Sequence, residues 1–188
     1  DDVPSRIEHT VLGPETDASD IGACLETAQE YNMRGCIPPW GLSVATDYAV
    51  PVATVIDFPH GQGATAAVCT AAKTAWKDGA DEIDLVCNIG LLTSSVDEDL
   101  RSHLSEILAS VPIPVKLIVQ SPRLTDDELH RIGKIGADVG AAYLKTATGF
   151  GPGGATVEDV EVLSQYLPVK ASGGSGAWER SRSDVSGR

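Results

Sequence analysis

The chain has 188 residues, 42% of them hydrophobic, and a formal net charge of −13. That length fits one domain with a substantial core, and the acidic balance excludes the basic face that a nucleic-acid binder needs. No apolar run approaches a membrane span and no basic-then-apolar signal segment opens the chain, so a soluble cytoplasmic protein is expected.

The acids are dispersed. Asp97-Glu98-Asp99 and Asp126-Asp127-Glu128 read as solvated helix starts, and an acidic surface with only six lysines suits a high-salt cytoplasm or simply an acidic soluble protein. The four cysteines, Cys24, Cys36, Cys69 and Cys87, show neither CxxC nor Cys/His ligand spacing. No metal site and no disulfide framework is expected, and reduced core thiols fit best.

Ile7–Leu12 reads as a first strand closed by Gly13-Pro14. Asp17–Tyr31 follows as a helix with Ile21, Cys24, Leu25 and Ala28 on one face. Gly35-Cys36-Ile37-Pro38-Pro39 is a strand end stopped by two prolines, and Gly41–Tyr48 a short helix. The β-branched run Pro51–Pro59 is the next strand, leading through His60-Gly61-Gln62-Gly63 to an Ala-rich helix over Ala64–Asp78. Glu82–Asn88 alternates polar and apolar positions, and Asp97–Val111 is a helix with Leu100, Leu104, Ile107 and Leu108 inward. Val115–Val119 is a strand, and Thr125-Asp126-Asp127-Glu128 a capping box that opens a helix to about Ile135. A strand at Tyr143–Lys145, a helix from Thr156 to about Leu167-Pro168 and a strand at Val169–Ala171 complete the series.

Strand and helix alternate throughout, which means parallel strands joined by helical crossovers, in a barrel or a doubly wound sheet. The polar positions favour the barrel. A doubly wound sheet buries both faces and makes strands nearly continuous apolar runs. Here Glu82, Asp84, Val86 and Asn88 share one face, as do Lys116, Ile118 and Gln120. Polar side chains pointing one way near strand ends suit the mouth of a TIM-type (β/α) barrel. No GxGxxG follows the first strand, so a dinucleotide fold has little support.

Two lysines, Lys145 and Lys170, end successive strands, and each precedes a turn bearing Gly with Ser or Thr. On adjacent strands they would lie roughly 5 Å apart. A free lysine is less than about 0.1% neutral at pH 7, and a like charge within reach lowers that pKa, so one amine becomes a nucleophile for a carbonyl. The plainer alternative is two lysines snorkelling to water. Asp84 would project inward two strands from Lys145, with Lys116 between them, either as an acid–base group or as an ion-pair partner of Lys116. Thr146, Thr148, Gly149, Ser172, Gly173 and Gly174 offer hydroxyls and backbone N–H groups of the kind that hold phosphate. Cys36 is either a thiol near the mouth or a packing residue. His9 and His60 lack a Ser or Cys partner for a triad.

At these residues the chain resembles the deoxyribose-phosphate aldolases, class I aldolases with a TIM-type barrel. The resemblance runs from Ile7 to Gly174 in order: Ile7-Glu8-His9-Thr10-Val11-Leu12, Cys36-Ile37-Pro38-Pro39, Asp57-Phe58-Pro59-His60-Gly61, Ala80–Asn88, Leu144–Phe150 and Val169–Gly174. It implies reversible cleavage of 2-deoxy-D-ribose 5-phosphate to acetaldehyde and D-glyceraldehyde 3-phosphate, in deoxyribose phosphate and nucleoside catabolism. Lys145 would form the Schiff base, Lys170 would depress its pKa, and Asp84 would move protons through water. The imine is the electron sink, so no cofactor is implied. The partners implied are a phosphosugar and aldehydes, and a homo-oligomer, dimer or tetramer, is expected.

Three departures from the family pattern stand out. Glu8 replaces Asp, Gln120-Ser121 replaces Glu-Thr, and after Gly174 the family's seventh helix and eighth strand give way to Ser175–Arg188, without apolar periodicity. The expected division is a barrel domain over 1–174 and an irregular, disordered or out-of-frame tail over 175–188. Without an eighth strand the barrel would keep open edges and lack half its phosphate site. A weakened enzyme, one completed by another chain, or a phosphosugar-binding remnant are the expectations that follow.

Overall fold

The structure is a computed structural model that describes residues 4–173. Strands β1 (Glu8–Thr10), β2 (Arg34–Ile37), β3 (Val52–Ile56), β4 (Glu82–Val86), β5 (Val115–Ile118), β6 (Tyr143–Lys145) and β7 (Val169–Lys170) form one sheet in chain order. Every neighbouring pair is parallel. The connections carry α1 (Ala18–Glu30), α2 (Leu42–Ala45), α3 (Thr65–Lys77), α4 (Ile89–Thr93), α5 (Asp97–Ala109), α6 (Asp126–Asp138) and α7 (Val157–Leu163). The strand–helix alternation of the sequence is thus a sequential βα sheet of the TIM-barrel type, with seven strands among the described residues. Gly174 and the tail expected over 175–188 lie outside the described residues.

Helix starts follow the local chemistry. Asp17 caps α1 by accepting from Ser19 and Asp20 N–H groups, and Asp20 bonds back to the Asp17 N–H. Thr125 and Glu128 make the same reciprocal box at α6, which satisfies backbone donors that a helix start leaves unpaired. In α1 the residues buried are the expected Ile21, Cys24, Leu25 and Ala28, plus Gly22. One segment departs from expectation. Asn88 does not end a strand but caps the short helix α4, accepting from the Leu91 N–H at 3.3 Å.

The sheet has two different faces. Val52, Ile56, Ile83, Leu85, Cys87, Leu117 and Val119 point to the helices and join the main core with Leu25, Leu100, Leu104 and Ile132. The alternate positions point inward. Their polar members gather on β1 and β4–β7, joined by Arg34 at the start of β2; Cys36, Ala53 and Val55 on β2 and β3 form a separate small apolar cluster. The period of two therefore sorts helix-facing from inward-facing residues as the sequence implies.

Candidate active site

Register brings the two lysines together. Lys145 on β6 pairs directly with Lys170 on β7, and Ile118 on β5 pairs with Lys145. One step lower, Asp84 on β4 pairs with Lys116 on β5. Since these strands are consecutive and parallel, the side chains rise into one inward-facing group at the C-terminal ends.

Asp84 is fully buried and divides its oxygens: Lys145 Nζ donates to Oδ2 at 2.5 Å and Lys116 Nζ to Oδ1 at 2.9 Å. Lys116 also donates to Glu8 and Glu82, so its three N–H groups face three carboxylates. Lys170 Nζ lies 2.5 Å from Glu8 Oε2, and Arg34 approaches Glu82 at 3.7 Å. Three ammonium groups thus oppose three carboxylates in a space where unpaired charges would be costly.

The network moves proton affinities in opposite directions. Burial is the largest influence on Lys145 and works against its ammonium, but Asp84 together with Cys36 and Glu8 holds the lysine above its ordinary pKa. Burial also dominates at Lys170, with Lys116 and Lys145 adding repulsion, and the net effect is downward despite Glu8. Lys116 is raised by Asp84 and Glu8 against its burial. Glu8, though buried, is pulled down to about 2 by Lys116 and Lys170. In this arrangement Asp84, in direct contact, has the larger influence on Lys145, and Lys170 is the amine eased toward neutrality.

A cleft of about 940 Å³ opens between β1 and β7, the two ends of the strand order, and reaches this group. Lys145, Lys170, Lys116, Glu8, Thr148, Gly149, Ser172 and Gly173 all line it. Three of the expected site residues do not, fully buried Asp84 among them. Thr146 is buried, and its hydroxyl donates to the Ser172 carbonyl at 3.0 Å and accepts from the Ser172 N–H at 2.9 Å. The Ser172 hydroxyl in turn donates to the Ala147 carbonyl at 2.7 Å. Thr146 therefore clasps the β6 and β7 loops together and leaves the rim to Thr148, Gly149, Ser172 and Gly173. Cys36 is also fully buried, and its thiol is pushed up to about 12, chiefly by burial and then by Asp84. It is a packing thiol, because the thiolate is the reactive form.

Glu8, Cys36 and Asp84 place ligand atoms within 4.8 Å of one another. The carboxylates are already matched by the ammonium groups of Lys116, Lys145 and Lys170, so this trio has the charge balance of an ion-pair network and not of a cation site. Glu8 and Glu82 were the residues that sequence reasoning left without a role. Glu82 had a usable signal, since it shares the face of Asp84 two residues on; Glu8 stood out only as a replacement within the first-strand motif.

The arrangement has close relatives. Deoxyribose-phosphate aldolase of Haloarcula marismortui is 63% identical over 179 residues, spanning 95% of this chain and 78% of that protein. The protein of the same name from Natronomonas pharaonis is 50% identical, over 95% of this chain and 84% of its own length. Both come from halophilic archaea, in keeping with the net charge of −13. Among solved structures, one described as "QR15, an Aldolase" superposes with a TM-score of 0.91 at 31% identity, covering 98% of this chain and 87% of the other. No protein-family model matches the chain. With its strand order, its paired lysines and these relatives, the chain belongs to the deoxyribose-phosphate aldolase family, which are lyases.

Proposed function

We propose that the chain, with residues 1–174 as its catalytic domain, reversibly cleaves 2-deoxy-D-ribose 5-phosphate to acetaldehyde and D-glyceraldehyde 3-phosphate through a Schiff base on Lys145. The observation that carries this reading is the contact between Lys145 Nζ and Asp84 Oδ2 at 2.5 Å, beside the register-paired Lys170 at the cleft. Lys145 rests as an ammonium, so a proton must leave before its amine attacks the aldehyde carbon. Asp84 is the acceptor in contact with it, directly or through one water. Attack and loss of water give an iminium on Lys145. The carbon 2–carbon 3 bond then breaks, its electron pair passes into the iminium to form an enamine, and the carbon 3 hydroxyl gives up its proton as glyceraldehyde 3-phosphate leaves. Protonation of the enamine at carbon 2 and hydrolysis of the imine release acetaldehyde and restore the amine.

Lys116 holds the Asp84 carboxylate in place by donating to Oδ1, and Lys170 supplies nearby positive charge and a mobile proton. Thr148, Gly149, Ser172 and Gly173 form the rim assigned to the phosphate, with Gly149 and Gly173 at positive φ of 84° and 85°. Gly174, also assigned to it, lies outside the described residues. The imine chemistry calls for no cofactor. Among the described residues no helix is long and apolar enough to cross a membrane. The four cysteines are free and buried, which supports a reducing, cytoplasmic setting. The unpaired outer edges of β1 and β7 among the described residues support a homo-oligomer as the working assembly.

Glyceraldehyde 3-phosphate release, read by a coupled assay, tests this reading. The wild-type chain should turn over, and Lys145→Arg, which keeps the charge beside Asp84, should lose more than about 10³-fold of the rate with its circular dichroism unchanged. Full activity in Lys145→Arg would overturn the assignment. The open order of the seven strands favours a second reading, a phosphosugar-binding remnant that forms the imine without cleaving; trapping of acetaldehyde on Lys145 with no turnover would select it.

A further inference from the structure

Part of the cleft rim is carried by a segment with little stiffness of its own. Between β6 and α7 the chain runs Thr148-Gly149-Phe150-Gly151-Pro152-Gly153-Gly154-Ala155, and glycine is the residue that restrains the backbone least. Its shape is set where it leaves the sheet and where it returns. On the outgoing side the Val119 N–H donates to the Lys145 carbonyl at 2.9 Å and the Ser121 N–H to the Thr146 carbonyl at 2.8 Å. On the returning side the Ala155 N–H donates to the Ser172 carbonyl at 3.2 Å, and a Cβ added at Gly154 would meet the Gly173 carbonyl oxygen at 2.0 Å. The last anchor is a pair of side chains. Ser121, 2% exposed in the 3-10 turn that follows β5, donates its hydroxyl to Asp159 Oδ2 at 2.7 Å. Asp159 stands in the first turn of α7, where its own N–H donates to Thr156 Oγ1 at 3.0 Å. The Ser121–Asp159 bond therefore ties the start of α7 to the end of β5, the strand beside the one that carries Lys145.

We propose that Asp159 is a positioning residue for this rim. The inference rests on the function proposed above, which gives the rim to the phosphate. Asp159 does not line the cleft. It acts through Ser121: their bond fixes where the loop returns, and so where Thr148 and Gly149 present their backbone N–H groups. The close approach of Gly154 to Gly173 passes the same constraint to the β7 turn. A hydroxyl bonded to a carboxylate is held roughly twice as strongly as one bonded to a neutral acceptor, and a buried hydroxyl that loses its acceptor is left unsatisfied. Lys145 does not depend on this anchor, because β5 holds its carbonyl and β7 pairs with it in register. Loss of Asp159 should therefore weaken the grip on the phosphate and spare the carbonyl chemistry, whereas a bond that only stabilised α7 would lower stability and leave substrate affinity alone.

The test measures kcat and KM for 2-deoxy-D-ribose 5-phosphate and for unphosphorylated 2-deoxy-D-ribose in the wild type, Asp159→Ala, Asp159→Asn and Ser121→Ala. Both sugars release acetaldehyde, so one coupled assay reads them. Asp159→Ala and Ser121→Ala should each raise KM for the phosphorylated sugar about tenfold with kcat within about twofold. For the unphosphorylated sugar, kcat/KM should stay within about twofold. Asp159→Asn keeps an oxygen that accepts from Ser121 and should recover KM to within about threefold of the wild type. Should Asp159→Ala fail to fold, Ser121→Ala, which removes one oxygen, carries the same expectation. An unchanged KM in the folded variants, an equal loss with both sugars, or Asp159→Asn as impaired as Asp159→Ala overturns the proposal. If the wild type forms the imine without turnover, the Kd of inorganic phosphate takes the place of KM and should weaken about tenfold in Asp159→Ala; an unchanged Kd overturns the proposal equally. Borohydride trapping of acetaldehyde on wild-type Lys145 separates the two levels. With no imine the Schiff-base reading itself fails, whereas an imine with unchanged phosphate binding in Asp159→Ala removes only the role of Asp159.

Discussion

The two sides of the inward face carry opposite burdens. On β1 and β4–β7, buried lysines and carboxylates hold one another in a network whose members shift each other's proton affinity. On β2 and β3, beyond Arg34 at the start of β2, small apolar side chains present nothing that can donate or accept strongly. Asp84 and Lys116 on one side are as buried as Cys36 and Val55 on the other, so burial alone does not distinguish a chemical surface from a shaping one. The distinction lies in whether each polar group is matched, because a low-dielectric setting strengthens a paired charge and penalises an unpaired one.

The comparison can be broken first at Asp84. Asp84→Asn removes the carboxylate that both Lys116 and Lys145 contact, and kcat should fall about 10²- to 10⁴-fold. The sign of the accompanying shift is set by the structure. Asp84 raises the Lys145 pKa, so its loss should lower it, and imine formation in the variant should begin at lower pH than in the wild type. Rates of acetaldehyde trapping against pH check both parts.

A second break targets the hub. Lys116→Met leaves Glu8, Glu82 and Asp84 facing a neutral side chain, and removing one partner from a buried charge group costs about 3–5 kcal/mol. Denaturant unfolding should show that loss, while Val55→Ala on the apolar side should cost about 2 kcal/mol. Equal losses at the two positions would erase the contrast.

The smallest effect is on pH dependence. Glu8 is held at about 2, below its ordinary value of 4.5, so its stabilisation is complete above pH 4.5 and is lost as pH falls toward 2. Lys145 is displaced upward, so its contribution is present below the ordinary lysine range and is lost only as pH rises past it. Melting temperature against pH should therefore drop on the acid side in the wild type, and the slope between pH 4.5 and 2 should flatten in Glu8→Gln.

Much of this was legible in the sequence. Period-two spacing placed Glu82, Asp84 and Lys116 on one face, and the order of strands placed Lys145 beside Lys170. The Thr125 capping box marked the start of α6. What the sequence withheld was height. Alternation tells which face a side chain takes but not how far along the barrel axis its tip reaches, and that depends on the stagger between strands. Glu8 and Glu82 therefore gave no sign that they converge on Lys116 from β1 and β4. The Thr146 hydroxyl was equally opaque, because its partner Ser172 lies 26 positions away across a loop contact. Asn88 misled for a local reason: its side chain can end a strand or cap a helix, and only the Leu91 N–H decides.

Borohydride reduction in the presence of acetaldehyde, followed by peptide mapping, tests the central claim most directly. A two-carbon label on the peptide carrying Lys145, absent in Lys145→Arg, is the predicted result. Label confined to Lys170, the lysine whose pKa is lowered, or retained in Lys145→Arg, would contradict it.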